Sequence, residues 1–173
     1  MKTDAQAELD EIRNLCVGKT APGILGQDID GKPFQLSSYR GNVVVVDFWT
    51  MSCGSCRELN AFERSLVKRM QGKPFALLGV NGDEDNDKLR EWMKKDDLTW
   101  RTWWDRGGDG HREGPITSQF NARVWPTLYI IDHRGVIRHK FLGSLGTKRL
   151  DAAIDALVAA AENDGGVSRT RRP

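Results

Sequence analysis

Cysteine is scarce in this chain: three of its 173 residues are cysteine. Three cysteines are too few to stabilise a fold through several disulfide bonds. A zinc site would need further ligands at paired spacing, which the remaining candidates do not show: Cys16, His111, His133 and His139. We therefore expect no disulfide framework, no metal and no cofactor, and the cysteines become candidates for catalysis.

Long apolar runs and a strong net charge are also missing. No stretch approaches the roughly 20 apolar residues of a membrane span, and Met1–Arg13 lacks the apolar centre of a secretory signal. The formal net charge of +2 is too small to indicate a nucleic-acid partner. With 39% hydrophobic and 29% charged residues, the composition favours one compact catalytic domain. We expect a monomer without a membrane span, export signal or anchor in these residues.

The chain does contain a Cys-x-x-Cys pair, Cys53-Gly54-Ser55-Cys56, between a strand pattern and a helix pattern. The β-branched run Val43–Val46 precedes it, and residues 56–67 carry apolar side chains at helical spacing. At a helix N-terminus the cysteine pKa in such motifs falls to roughly 3.5–7.5. We expect a redox dithiol in which the exposed Cys53 attacks and Cys56, one turn deeper, resolves the mixed disulfide.

One acid interrupts the apolar strand that leads to this pair. Asp47 lies six residues before Cys53. A buried carboxylate is costly unless it has a partner or a role, so we expect burial and a raised pKa at Asp47. A functional acid and a hydrogen-bonded structural acid both fit the pattern.

The rest of the chain alternates strand and helix patterns. A helix is predicted over 5–15, a hairpin over Ile24–Leu36 and a surface loop over 105–114. Further strands are predicted at 75–80, 100–104, 127–131 and 136–141, and helices at 86–97, 115–121 and 147–162. This order predicts an α/β fold, a mixed β-sheet flanked by helices, with an N-terminal hairpin extension and a central insertion. We divide the chain into a helical extension (1–16), the main domain (17–162) and a flexible basic tail (163–173).

Three short segments resemble the thioredoxin superfamily: Val46-Asp47-Phe48-Trp49, the Cys pair, and Trp125-Pro126-Thr127 before a strand. The leading segment from Val17 to Gly41, and the long stretch between the Cys pair and Pro126, are similar to its redoxin branch. That branch contains the TlpA- and ResA-type thiol-disulfide oxidoreductases. The resemblance covers residues 17–162 and implies a thioredoxin-like fold.

The resemblance also implies roles for individual residues. Asp47 matches an acid that accepts and donates the proton of the deeper cysteine. Pro126 matches a cis-proline that faces the dithiol, although most X-Pro bonds are trans. Trp49 is expected to pack under the active-site loop. The expected substrate-binding set is Trp125, Pro126, Trp49, Gly54 and Ser55.

The implied activity is the reduction of protein disulfides outside the cytoplasm, for example in the periplasm. The expected partners are disulfide-containing proteins and an electron donor that the sequence does not identify. Because Gly54-Ser55 lacks the proline common between such cysteines, the potential stays open across about −270 to −120 mV. Two other classes stay open. A peroxiredoxin-like peroxidase fits the spacing of Thr50 and Cys53 but lacks a proline at Val46, and a non-catalytic thioredoxin-fold binding module would not need the intact dithiol.

Overall fold

The computed structural model describes residues 13–105, 114–143 and 146–170, with side chains described up to residue 165. Most of the helix predicted over 5–15 and of the loop predicted over 105–114 lies outside these residues. None of the helices in the described part of the chain is long and apolar enough to cross a membrane.

The chain first forms the predicted hairpin, from β1 (Leu25–Gln27) and β2 (Pro33–Gln35). Its turn is closed by Asp28, whose Oδ1 accepts hydrogen bonds from the backbone N–H groups of Asp30 and Lys32. Gly31 has a φ of 75°, a left-handed conformation that glycine adopts without a steric penalty. A 3-10 helix, Leu36–Tyr39, then leads to the central sheet.

Five strands form that sheet: β3 (Val43–Trp49), β4 (Phe75–Asn81), β5 (Thr102–Trp104), β6 (Thr127–Ile131) and β7 (Ile137–Leu142). Their order across the sheet is β5-β4-β3-β6-β7. β3 and β4 pair in parallel, as do β4 and β5, whereas β6 is antiparallel to both of its neighbours. All seven residues of β3 are buried, which suits the central strand of a sheet covered on both faces.

Four helices complete the described structure: α1 (Gly54–Arg69), α2 (Asn86–Lys95), α3 (Pro115–Gln119) and α4 (Thr147–Thr170). They confirm the helices predicted at these places. α4 continues beyond Glu162 and so includes residues 163–170 of the segment that we assigned to a flexible tail. Gly165 and Gly166 weaken a helix by about 1 kcal/mol each relative to alanine but do not prohibit it.

The alternation of side chains along β3 divides the interior into two cores. Val43, Val45 and Trp49 join a helix-side core with buried residues of α1, α2 and α4: Leu59, Leu66, Leu89, Met93, Leu150 and Ile154. The alternate β3 residues, among them Phe48, join a hairpin-side core with Phe34, Ile116 and Phe120. Because alternate residues of a strand share a face, Asp47 points into the helix-side core, towards α1.

Candidate active site

The dithiol lies at the first turn of α1. Cys53 is the N-cap residue, and its Sγ accepts a hydrogen bond from the backbone N–H of Cys56 at 3.1 Å. The two cysteines form a disulfide across a Cα–Cα distance of 5.3 Å. Cys53 is partly exposed, whereas Cys56 is 1% exposed. An incoming sulfur atom can therefore reach Cys53 but not Cys56.

A buried acid after β4 holds the loop that carries the dithiol. Asp83 Oδ2 accepts hydrogen bonds from the backbone N–H of Met51 and from Asn81 Nδ2, both at 2.8 Å. The carbonyl of Asp83 accepts a third hydrogen bond from Trp104 Nε1 at 2.7 Å. The sequence analysis missed this residue. An acid that directly follows a buried strand, close to the dithiol in the predicted βαβ unit, was the signal available.

The Trp125–Pro126 peptide bond is cis, as the resemblance implied. In the antiparallel pairing of β3 with β6, Phe48 is opposite Thr127. This register brings Pro126 beside Trp49, at the end of β3 from which the chain continues to the dithiol. Trp125 is partly buried and packs against both cores, while Trp49 is 1% exposed. Trp49 therefore supports the active-site loop from below and offers no surface for direct contact with a substrate.

The other side of the dithiol is open. Gly54 is exposed, and an added Cβ would have no heavy atom within 4 Å, whereas Ser55 is partly buried. A groove of about 530 Å³ begins at the active-site loop and continues along α2. Its lining is Met51, Ser52, Asp83, Lys88, Glu91, Trp92 and Lys95. A polypeptide segment thus has space on this side of Cys53.

Asp47 points into the helix-side core, whose buried residues include Cys56, and is 2% exposed. Burial raises its pKa to about 7, and its interaction with the side chain of Glu63 limits the rise. This agrees with the predicted raised pKa. On β4, Asp47 is opposite Gly79, where a Cβ would come within 2.6 Å of Thr102 Oγ1. The strands beside Asp47 are therefore packed closely, and water is excluded from it on that side.

The partner of Asp47 is Glu63, which the sequence analysis did not identify. Glu63 lies on the inner face of α1, seven residues after Cys56, and is 1% exposed. Burial and the charge of Asp47 raise the pKa of Glu63 well above its ordinary value. The available signal was the helical spacing, since positions i and i+7 of a helix share a face. Two buried carboxyl groups in contact do not both ionise near neutral pH.

The site therefore combines an accessible sulfur, an inaccessible sulfur and a buried acid that titrates near neutral pH. Stepwise thiol-disulfide exchange requires one accessible and one inaccessible sulfur.

Comparison with known proteins places this site in a family. The family model described as "AhpC/TSA family" matches residues 17–140. The chain belongs to the AhpC/TSA family. Thiol-disulfide oxidoreductase ResA of Bacillus cereus is 24% identical over 135 residues, covering 78% of this chain and 75% of the relative. The thioredoxin-like protein YneN of Bacillus subtilis is 26% identical over 142 residues, covering 80% of this chain and 78% of YneN.

Solved structures show which fold the chain adopts. A putative protein disulfide isomerase from Bacteroides thetaiotaomicron superposes with a TM-score of 0.71 at 26% identity, covering 87% of this chain and 94% of that one. The C-terminal domain of a putative thiol-disulfide oxidoreductase from the same organism gives a TM-score of 0.73 at 23% identity, covering 84% and 97%. The thioredoxin-like fold is thereby confirmed. With its bridged Cys53–Cys56 pair, this AhpC/TSA member is a thiol-disulfide oxidoreductase.

Proposed function

We propose that the protein reduces disulfide bonds of other proteins through Cys53 and Cys56. The Cys53 thiolate attacks one sulfur of a substrate disulfide, which forms a mixed disulfide and releases the first substrate thiolate. The Cys56 thiolate then attacks Cys53 Sγ, which releases the second substrate thiolate and closes the Cys53–Cys56 disulfide. The substrate gains two electrons and two protons from the dithiol, and a separate electron donor must restore it.

The observation that carries this proposal is the unequal access to the two bridged sulfurs. Cys53 is partly exposed at the helix N-terminus, and Cys56 is 1% exposed beneath it. The backbone N–H of Cys56 donates a hydrogen bond to Cys53 Sγ, and this bond would also stabilise a Cys53 thiolate. The positive end of the α1 dipole would act in the same direction. Cys53 is thus prepared for attack, whereas Cys56 reaches only a sulfur already bound to Cys53.

Resolution requires the buried Cys56 thiol to lose its proton, and we propose that Asp47 accepts this proton. A pKa of about 7 is close to the value at which a general base works best in neutral solution. After the mixed disulfide breaks, the same carboxyl can return the proton to a departing thiolate. The alternative, a purely structural Asp47, predicts a different kinetic result.

We expect Asp47→Asn to slow resolution about 100-fold, because general-base assistance contributes on this order. The initial attack by Cys53 should keep its rate, since it needs no deprotonation of Cys56. Rapid-mixing kinetics with a disulfide peptide, which separate formation of the mixed disulfide from its decay, measure both steps. Asp132→Asn is the matched control: Asp132 is a buried acid after β6, at the opposite end of the sheet, and is bonded to Arg138. Equal slowing of both steps by Asp47→Asn would instead indicate a structural role.

We assign substrate binding to the surfaces on either side of Cys53. Trp125, which is partly buried, and Pro126, which is buried, border one side, where an extended substrate segment can pair with the backbone before the proline. Gly54 and Ser55 border the other side, next to the groove along α2. Trp49 contributes indirectly, by supporting the loop.

The direction of electron flow is tested by the redox potential. An ionised Asp47 opposes a second negative charge at Cys56 and so does not favour the reduced form. We therefore expect a potential nearer the thioredoxin value of about −270 mV than the DsbA value of about −120 mV. The ratio of dithiol to disulfide can be measured by equilibrating the protein with glutathione buffers, alkylating its free thiols and analysing it by mass spectrometry. A Cys16→Ser background removes the third thiol from this measurement. A potential near the oxidising end would exclude the reductant assignment.

We also propose that the protein works outside the cytoplasm, as a monomer. Disulfides persist in such oxidising compartments, so that a dedicated reductant has substrates there. The similarity of the chain to ResA supports this location.

A further inference from the structure

Three buried carboxyl oxygens in the helix-side core have no hydrogen-bond donor among the described residues. They are Asp47 Oδ1 and both Oε atoms of Glu63. The side chains of these two residues nevertheless interact directly. A buried acceptor without a donor is costly, and a buried pair of carboxylates is costlier still. One proton placed between the two groups supplies a donor and removes a charge at the same time.

Among the described residues that face the pair from the strands, none is a lysine or arginine that could take the place of this proton. The residues that face the pair from the neighbouring strands are uncharged: Gly79 on β4, Thr102 on β5, Leu128 on β6 and Phe141 on β7. From the helices the helix-side core contributes Leu89 and Met93 of α2 and Leu150 and Ile154 of α4. Cys56 also lies on this side of the sheet, and among the described strand residues on this face His139 of β7 is titratable: it is partly buried, is opposite Ile130 and stacks on Phe141.

The charged residues of α1 near Glu63 bond elsewhere. Arg64 donates to the carbonyl of Asp96, and Arg69 pairs with Asp151 and Asp155 of α4. Asn60, between Cys56 and Glu63 on the inner face of α1, has a buried Nδ2 with no acceptor among the described residues. The inner face of α1 is thus polar at three successive turns, in a core that is otherwise apolar.

We propose that Glu63 is a positioning residue that stays protonated and donates a hydrogen bond to the Asp47 carboxylate, which keeps Asp47 able to accept the Cys56 proton at neutral pH. This inference rests on the proposed role of Asp47 and adds a second residue to it. We assign the proton to Glu63 because both of its carboxyl oxygens lack a donor among the described residues, whereas only Oδ1 of Asp47 does, so an ionised Glu63 would be the less compensated charge. Without the donor, burial alone would act on Asp47 and move its titration to higher pH.

The test is the pH dependence of mixed-disulfide resolution in two variants. Glu63→Gln retains a donor, because its amide N–H can replace the carboxyl O–H, whereas Glu63→Met has a similar volume and no donor. We expect Glu63→Met to move the midpoint of the resolution profile upward by about one pH unit, which makes resolution about fivefold slower at pH 7. Glu63→Gln should keep the wild-type midpoint. Equal midpoints in wild type and Glu63→Met, or equal shifts in both variants, would overturn the proposal.

A second measurement does not depend on disulfide exchange. Infrared spectroscopy of the oxidised protein at pH 8.5 should show the C=O stretch of one protonated buried carboxyl group, which persists in Asp47→Asn and is absent from Glu63→Gln. Its absence from the wild type would refute a protonated Glu63 even if Glu63→Met fails to fold. If Asp47→Asn resolves at the wild-type rate while this band is present, the role of Asp47 fails and the protonation of Glu63 stands.

Discussion

Replacing Cys56 with serine is expected to trap substrates on the protein as stable mixed disulfides. Cys53 keeps its exposed position and its N-cap hydrogen bond donor, the backbone N–H of residue 56, so the first attack proceeds. The second step has no thiol, and adducts should accumulate until nearly all of the protein carries one. Cys53→Ser should form no adducts, because Cys56 is 1% exposed and cannot reach a folded substrate. Both variants should lose turnover in insulin reduction.

Non-reducing electrophoresis and mass spectrometry of the adducts measure this difference, in a Cys16→Ser background so that only the dithiol can react. Wild-type protein treated with the same substrate should contain the Cys53–Cys56 bridge instead of adducts. Adducts mapped to Cys56 in the Cys53→Ser variant would reverse the assigned roles. Turnover that persists in both variants would exclude the dithiol mechanism.

The sequence predicted the parts of the fold that depend on local pattern. The β-branched run at Val43 and the turn residues Asp30-Gly31 form strand and hairpin as expected, since buried strands and tight turns have strong local signatures. Strand β3 continues to Trp49 because its later residues are buried on both faces, which the four-residue apolar run did not show. Helix α4 likewise exceeds its predicted end, as two adjacent glycines are tolerated in it.

The dithiol was predictable because all of its chemistry lies within four consecutive residues. The residues that support the dithiol were harder to predict from the sequence. Asp83 reaches the N–H of Met51 only because β4 pairs with β3, and Glu63 meets Asp47 only because α1 packs over that strand. Such contacts join residues distant in the chain, so a local signal can indicate a buried acid but does not identify its partner. The cis conformation before Pro126 was predicted by family resemblance alone, against the general preference for trans.

The buried carboxyl pair should also make the folded state less stable as the pH rises. Asp47 has a folded pKa of about 7 against 3.8 for the ordinary group, so the folded protein binds the proton more strongly than the unfolded chain. That contribution to stability is fully present below pH 4 and is lost as the pH rises through 7. Between pH 5 and pH 9 the loss from Asp47 alone is about 3 kcal/mol. Glu63, whose folded pKa is raised further, extends the decline to higher pH.

Urea unfolding of the oxidised protein at successive pH values measures this slope. Asp47→Asn should make the slope shallower between pH 5 and pH 7, because an amide has no proton to lose and only the contribution of Glu63 remains, whereas Asp132→Asn should leave the slope unchanged. Hydrogen bonds lower the pKa of Asp132 despite its burial, so its linkage acts below pH 4, with stability lost as the pH falls. Both acids are buried, but their pKa values shift in opposite directions. The comparison therefore separates the effect of a carboxyl group that faces another acid from that of one that accepts hydrogen bonds from an arginine and the backbone. A free energy of unfolding that stays constant or rises between pH 5 and pH 9 in the wild type would show that Asp47 and Glu63 are not protonated in the folded protein.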